Sequence, residues 1–221
     1  MSVVVVSAGL SVPSSTRLLG ERLAAAATGQ APSDVRVIEL RDLAVDIAHN
    51  FTSGFPAPAL ADAMDAVTGA DGLIVVTPVF SASYSGLFKS FFDVLGVRDR
   101  EALAGKPVLI AATGGTPRHS LVLEHALRPL FAHLRAVVVP TGVYAPSQDW
   151  GDKGLDARIE RAAGELAALT GALSAASGGT GGGADGGGAI SVTRGGAADD
   201  KFDARNVVPF EEQLAALRSA G

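Results

Sequence analysis

The sequence predicts a three-layer α/β fold: a five-stranded parallel sheet of order 2-1-3-4-5, doubly wound with helices on both faces. Three observations carry this. Near-continuous apolar runs at Val3–Val6, Gly72–Thr77 and Pro107–Ala112 suit strands buried on both sides, as a helix-covered parallel sheet requires. The segments between strands are long enough for one crossover helix each. The loops after the first, third and fourth strands are rich in glycine, serine and threonine, which puts a ligand where the strand order reverses.

The elements follow in order. Val3–Val6 begins the sheet, and Leu18, Leu19, Arg22 and Leu23 have the spacing of a first helix, with Ser14 or Ser15 as its N-cap. Asp34–Leu40 alternates apolar and charged residues and reads as a second strand towards a sheet edge. Arg41–Pro58, with Asn50, Ser53, Gly54, Pro56 and Pro58, reads as a long loop, and Ala59–Thr68 as the second helix. After the third strand, Ser85–Leu95 places apolar residues at 87, 88, 91, 92 and 95, an amphipathic helix capped by Ser85. Pro107–Ala112 is strand four. Leu121–Leu134 is a helix whose Pro129 predicts a kink or irregular turn, Ala136–Pro140 is strand five, and Leu155–Leu173 is an Ala-rich last helix. The main domain is expected over residues 1–176. Residues 177–200, with a run of glycine from Ser177 to Gly188, form a linker, and 201–221 a tail with a short helix, Phe210–Ser219.

Composition narrows the function. A chain of 221 residues with 48% hydrophobic residues has ample core material for one such domain. A net charge of −5 disfavours nucleic acid as the main partner, since a phosphate backbone needs a basic face. The absence of cysteine excludes disulfides, thiolate ligands and a cysteine nucleophile. No signal-like segment precedes the first strand and no apolar run is long enough to span a membrane, so a cytoplasmic protein is expected. His119, His125 and His133 are not spaced as metal ligands on one helix face.

The chemistry lies in three loops. Ser7–Arg17 carries Gly9, Pro13 and the hydroxyls of Ser11, Ser14, Ser15 and Thr16 just before a helix, whose unpaired N–H groups and positive dipole end suit a phosphate. Serine caps helices in proteins of every kind, so the other loops must decide. No Gly-Lys-Ser/Thr ending marks a P-loop. A literal Gly-x-Gly-x-x-Gly at Gly181, Gly183 and Gly186 sits in the glycine run with no strand before it, and is discarded. Thr77–Gly86 and Thr113–His119 supply small residues that let a flat ligand approach, with Phe80 and Tyr84 to edge or cover it. Arg17 and Arg118 are candidate phosphate contacts as well as ordinary solvated side chains.

The pattern Pro78-Val79-Phe80-x-Ala82-Ser83-Tyr84-Ser85-Gly86, followed by Ala112-Thr113-Gly114-Gly115 and Ala126-Leu127-x-Pro129, resembles the NAD(P)H-dependent FMN reductases of two-component monooxygenase systems. Residues 5–16 and the Gly-rich connection to the tail are similar to those partnered with luciferase-like monooxygenases. The resemblance implies a flavodoxin-like fold, FMN, hydride transfer from NADPH or NADH, and delivery of reduced flavin to a partner monooxygenase. It further implies a homodimer or homotetramer, with which an exposed Phe-rich stripe on the Ser85–Leu95 helix would be consistent. Carried onto this chain, Ser11, Ser14, Ser15 and Thr16 would hold the FMN phosphate. Pro78, Val79, Phe80 and Ser83 would line the isoalloxazine, and Thr113, Gly114 and Gly115 would border its other edge. His119 and Arg118 are candidates for the nicotinamide. Relatives often have Tyr at Phe80, a basic residue at Ser81 and an aromatic at His125. Hydride passes directly between stacked rings, so no acid–base residue is required and no catalytic side chain is assigned. Two alternatives stand beside this reading: an FMN-containing quinone or azo reductase, and a flavodoxin-like electron carrier without a nicotinamide site.

Overall fold

The computed structural model describes residues 1–178; the expected linker and tail helix lie outside them, save residues 177 and 178. Strand β1 (Ser2–Ser7) leads to helix α1 (Ser15–Gln30). Then come β2 (Asp34–Glu39), α2 (Ala44–Ser53), α3 (Pro58–Gly69), β3 (Gly72–Phe80), β4 (Ser83–Tyr84) and α4 (Gly86–Arg98). The chain continues through β5 (Pro107–Gly114), α5 (Arg128–His133), β6 (Val137–Val138), β7 (Val143–Pro146) and α6 (Lys153–Gly178). The sheet runs β2-β1-β3-β5-β6, all parallel, with β7 also pairing β5 and β4 folding back antiparallel on β3. This is the flavodoxin-like order expected, with seven strands where five were predicted.

Both extra strands have local causes. Of the predicted fifth strand, Ala136–Pro140, only β6 forms; Pro140, Thr141 and Gly142 interrupt the chain and β7 follows beyond the predicted bounds, the two meeting β5 at Pro107–Val108 and at Ala111–Gly114 respectively. The other, β4, exists because the loop after β3 doubles back as a hairpin.

Alternation along each strand divides the core. Val4, Val6, Leu73, Val75, Val108, Ile110 and Tyr144 face the helices α2 to α5; Val3, Val5, Ile74, Val76, Leu109, Ala111 and Val143 face α1 and α6. Gly20 lets α1 settle onto β1: a Cβ there would stand 2.7 Å from Val5 Cγ1. On the other face Phe88, Phe91, Phe92 and Phe131 form an aromatic cluster, with Phe88–Phe92 and Phe92–Phe131 centroids 4.9 and 5.0 Å apart. The Phe-rich stripe is therefore not exposed. It is core, because α4 is covered by the sheet on one side and by α2 and α5 on the others.

Two helices differ from expectation. Arg41–Pro58 is not one long loop: a 3-10 turn, Leu40–Leu43, runs into α2, and Leu40, Leu43 and Ile47 are buried at helical spacing. Gly54, at φ 76°, ends α2, and Pro58 begins α3 at its first turn. The irregularity expected at Pro129 is a single wide π turn, Leu123–Leu127, in which the Arg128 N–H donates to the Leu123 carbonyl.

Candidate functional site

The carboxyl ends of the central strands share one edge. Ser7 pairs with Glu39 and Val76, Pro78 with Thr113, and Thr113 with Ala145, so the three loops singled out by sequence leave the sheet side by side.

The first loop stays on the sheet for one residue beyond β1, where the Ala8 N–H donates to the Val76 carbonyl at 2.9 Å. It then passes over Ser14. A Cβ on Gly9 would lie 2.0 Å from Ser14 Oγ, so only glycine allows this approach. Ser14 is the N-cap of α1, its hydroxyl accepting from the Arg17 N–H at 3.2 Å. The N–H groups of Ser15 and Thr16 then have no acceptor within the helix, and the side chains of Ser11 and Ser15 are exposed. The Thr16 side chain turns inward instead. It is 3% exposed, and its hydroxyl meets that of Thr113 at 2.8 Å, joining the first loop to the third.

Beside this loop, Glu39 at the end of β2 is nearly buried, 10% exposed, between Arg17 and Arg41. Arg41 Nη2 stands 2.9 Å from Glu39 Oε2, off the hydrogen-bonding direction, so the contact is charge attraction. Its Nη1 donates to the Ser11 carbonyl at 3.0 Å. Arg17 also bonds Glu21, and that hydrogen bond, with the charge of Glu39, raises the guanidinium above its ordinary value. Arg17 is thus engaged with carboxylates.

The second loop is a two-residue hairpin. Val79 pairs with Tyr84 and Phe80 with Ser83, and the turn residues Ser81 and Ala82 both have positive φ, 48° and 64°. A turn of this hand fits the strand twist but favours glycine or asparagine, so Ser-Ala holds it under strain. Thr77 secures the base: its hydroxyl accepts from the Ser85 N–H at 3.0 Å and donates to the Pro78 carbonyl at 2.9 Å. Pro78, Val79 and Ser83 are half-buried, and Phe80 is 48% exposed at the tip.

In the third loop Thr113 is buried, Gly114 half-buried and Gly115 exposed; a Cβ on Gly115 would meet nothing. Arg118 and His119 follow on a short 3-10 turn, Pro117–His119, whose N-cap Thr116 accepts from the Arg118 N–H at 3.4 Å. Arg118 is exposed and His119 half-exposed.

Sequence reasoning missed the supports beneath these loops. Tyr144 on β7, buried by its surroundings and for that reason raised above the ordinary phenol value, donates to the Thr116 carbonyl at 2.6 Å. Its register opposite Ala112 on a strand too irregular to recognise was the missing signal. Arg41 lay in the segment read as loop.

The donor set suits an organic phosphate with a flat ring. At the first loop it offers two N–H groups and two exposed hydroxyls, with the nearby Glu39 charge-matched by Arg17 and Arg41. Beyond lie an apolar hairpin wall and an open glycine.

Residues 1–151 match the NADPH-dependent FMN reductase family. The chain belongs to this family. It is similar to the FMN reductase (NADPH) of Pseudomonas aeruginosa, 42% identical over 177 residues that cover 78% of this chain and 94% of the relative. It is equally similar, at 42%, to the NADH-dependent FMN reductase SfnF of Pseudomonas fluorescens, over 77% of this chain and 92% of that one. Among solved structures, an oxidoreductase from Corynebacterium diphtheriae superposes with a TM-score of 0.74 at 47% identity, covering 77% of this chain and 97% of the other. As a member of the family, the reductase is an NAD(P)H:FMN oxidoreductase whose small molecules are FMN and a reduced nicotinamide.

Proposed function

We propose that the reductase holds FMN across the three loops, receives hydride from NADPH or NADH there, and supplies reduced flavin to a partner monooxygenase. The observation that carries this is the convergence of the three loops on one sheet edge, with Thr16 and Thr113 joined at 2.8 Å beneath it. FMN, when bound, supplies the hydride-accepting ring.

Each residue's part follows from its placement. The N–H groups of Ser15 and Thr16 and the hydroxyls of Ser11 and Ser15 bind the phosphate at the positive end of α1. Thr16 serves through its backbone, because its hydroxyl is committed to Thr113. Ser14 shapes the turn as the cap, with its hydroxyl directed to the Arg17 N–H. Pro78, Val79, Phe80 and Ser83 form the wall along the ring, and the exposed Phe80 excludes water from it. Gly114 and Gly115 border the opposite edge with backbone groups, while Thr113 braces them from below. Arg118 and His119, just beyond, receive the nicotinamide nucleotide.

The same open edge favours release of reduced flavin to an oxygenase over tight retention for a quinone. We also place the protein in the cytoplasm; among the described residues no helix is long and apolar enough to cross a membrane. A homodimer or homotetramer is proposed on the apolar side chains left exposed at Val45, Phe55 and Val97.

The deciding experiment follows NAD(P)H oxidation by purified protein with and without free FMN, against a quinone acceptor. Turnover that saturates with free FMN is expected; oxidation only with the quinone would overturn the flavin-supplying role. Ser15→Ala, which removes one exposed hydroxyl, is expected to weaken FMN binding about tenfold, the worth of a hydrogen bond to a charged group. Flavin-fluorescence titration reads this directly, and unchanged affinity would remove the phosphate from the first loop.

A further inference from the structure

We propose that Tyr144 is a positioning residue for the flavin-edge loop: its phenol, packed against Gly114 and bonded to the Thr116 carbonyl, sets the direction in which that loop presents its backbone N–H. The inference rests on the reading that residues 113–115 border the flavin.

Gly114 lies directly against the phenol. A Cβ at this position would stand 2.2 Å from the Tyr144 hydroxyl oxygen and 3.2 Å from Cζ, so the glycine is required by the tyrosine. The phenol passes this point to donate to the Thr116 carbonyl at 2.6 Å, two residues further along the loop. Ser147, just past β7, donates to the Gly114 carbonyl over a long 3.5 Å. In a planar trans peptide the carbonyl and the following N–H point in opposite directions. With the Gly114 carbonyl turned to Ser147, the Gly115 N–H is turned the other way. Residue 117 is proline and offers no N–H, so Gly115 is the donor that this bracing orients.

Tyr144 is itself fixed. It lies in register opposite Ala112, and Arg158 of α6 donates to its carbonyl at 3.2 Å. Burial keeps the phenol protonated, hence a donor, throughout the neutral range. A short, partly buried, neutral hydrogen bond from a rigid strand to a glycine-rich loop is a means of preorganisation: the loop is already set before a ligand arrives.

Four variants test this. Tyr144→Phe keeps the ring and removes only the hydrogen bond. It is expected to weaken FMN about two- to tenfold, with an altered absorption spectrum of the bound flavin. Gly114→Ala is expected to weaken FMN at least as much. In Gly114→Ala/Tyr144→Phe the clashing oxygen is gone, so the loss should fall below the product of the two single effects. Gly115→Asp adds a charged side chain into open space and is expected to abolish FMN binding while the thermal unfolding midpoint holds. If Gly115→Asp abolishes binding but Tyr144→Phe binds FMN like the wild type, positioning by Tyr144 is wrong and the loop assignment stands. If Gly115→Asp binds FMN normally, the loop does not border the flavin and both fall.

Discussion

Two kinds of loop share the ligand edge. The first and third are pinned by side chains: Ser14 caps α1, and from beneath the buried Thr16 meets Thr113 and the buried Tyr144 reaches Thr116. The hairpin between β3 and β4 is held chiefly at its base by Thr77 and otherwise by its own two pairs, with strain at Ser81 and Ala82 and an exposed Phe80. The difference separates two tasks. Pinned loops present fixed donors to a charged group, whose binding depends on direction, whereas a self-supporting hairpin provides an apolar wall that needs area more than angle.

The sharpest way to break the contrast is Gly9→Ala. The added methyl displaces Ser14 Oγ, so overpacking and loss of the cap combine to cost about 2–4 kcal/mol. Urea unfolding should show this together with lost FMN affinity. Thr113→Val is next: it leaves the Thr16 hydroxyl buried without its partner, at about 1–3 kcal/mol. Adding Thr16→Val should return part of that, and a strictly additive double mutant would show that the two hydroxyls do not act as a pair. The hairpin should respond in the opposite direction. Ala82→Gly relieves a positive φ and is expected to stabilise by about 0.5–1 kcal/mol, raising the thermal midpoint where Gly9→Ala and Thr113→Val lower it.

The smallest effect concerns a brace away from the edge. Arg128 grips Glu124 through two hydrogen bonds, 2.6 and 3.0 Å, and also donates to the Val139 and Pro140 carbonyls before β7. The hydrogen bond from Arg128 holds the Glu124 carboxyl below its ordinary value of 4.5. With the folded value depressed, the stabilisation is fully present above about pH 4.5 and is lost as pH falls through the folded value. Glu124 is half-exposed, so solvent screening limits this stabilisation to about 0.3 kcal/mol. Glu124→Gln should flatten that part of the acid limb of a stability profile.

What could be read from sequence followed the strength of local signals. The buried strands β1, β3 and β5 are runs of apolar residues, and Ser14, Ser85 and Pro129 marked two caps and one irregular turn. The three loops were legible as candidates because glycine and hydroxyl residues cluster there. Helix α2 was not, since exposed Val45 and Phe51 blur its face and Asn50 occupies a buried position. The hairpin was hidden because Ser-Ala is not a turn signature. The loop supports were hidden because Thr16–Thr113 and Tyr144–Thr116 join residues 97 and 28 apart. No local pattern encodes such pairings.

Gly20 acts on the site without touching it. With no side chain there, the axis of α1 lies close against β1, and the N-terminal turn one and a half turns upstream inherits that height above the sheet. A methyl at this fulcrum would lift the middle of the helix and tilt its leading end relative to the strand that feeds it. The accuracy with which Ser15 and Thr16 aim their amides is thus a property of helix seating, set by a hydrogen atom facing Val5 in the dry interior.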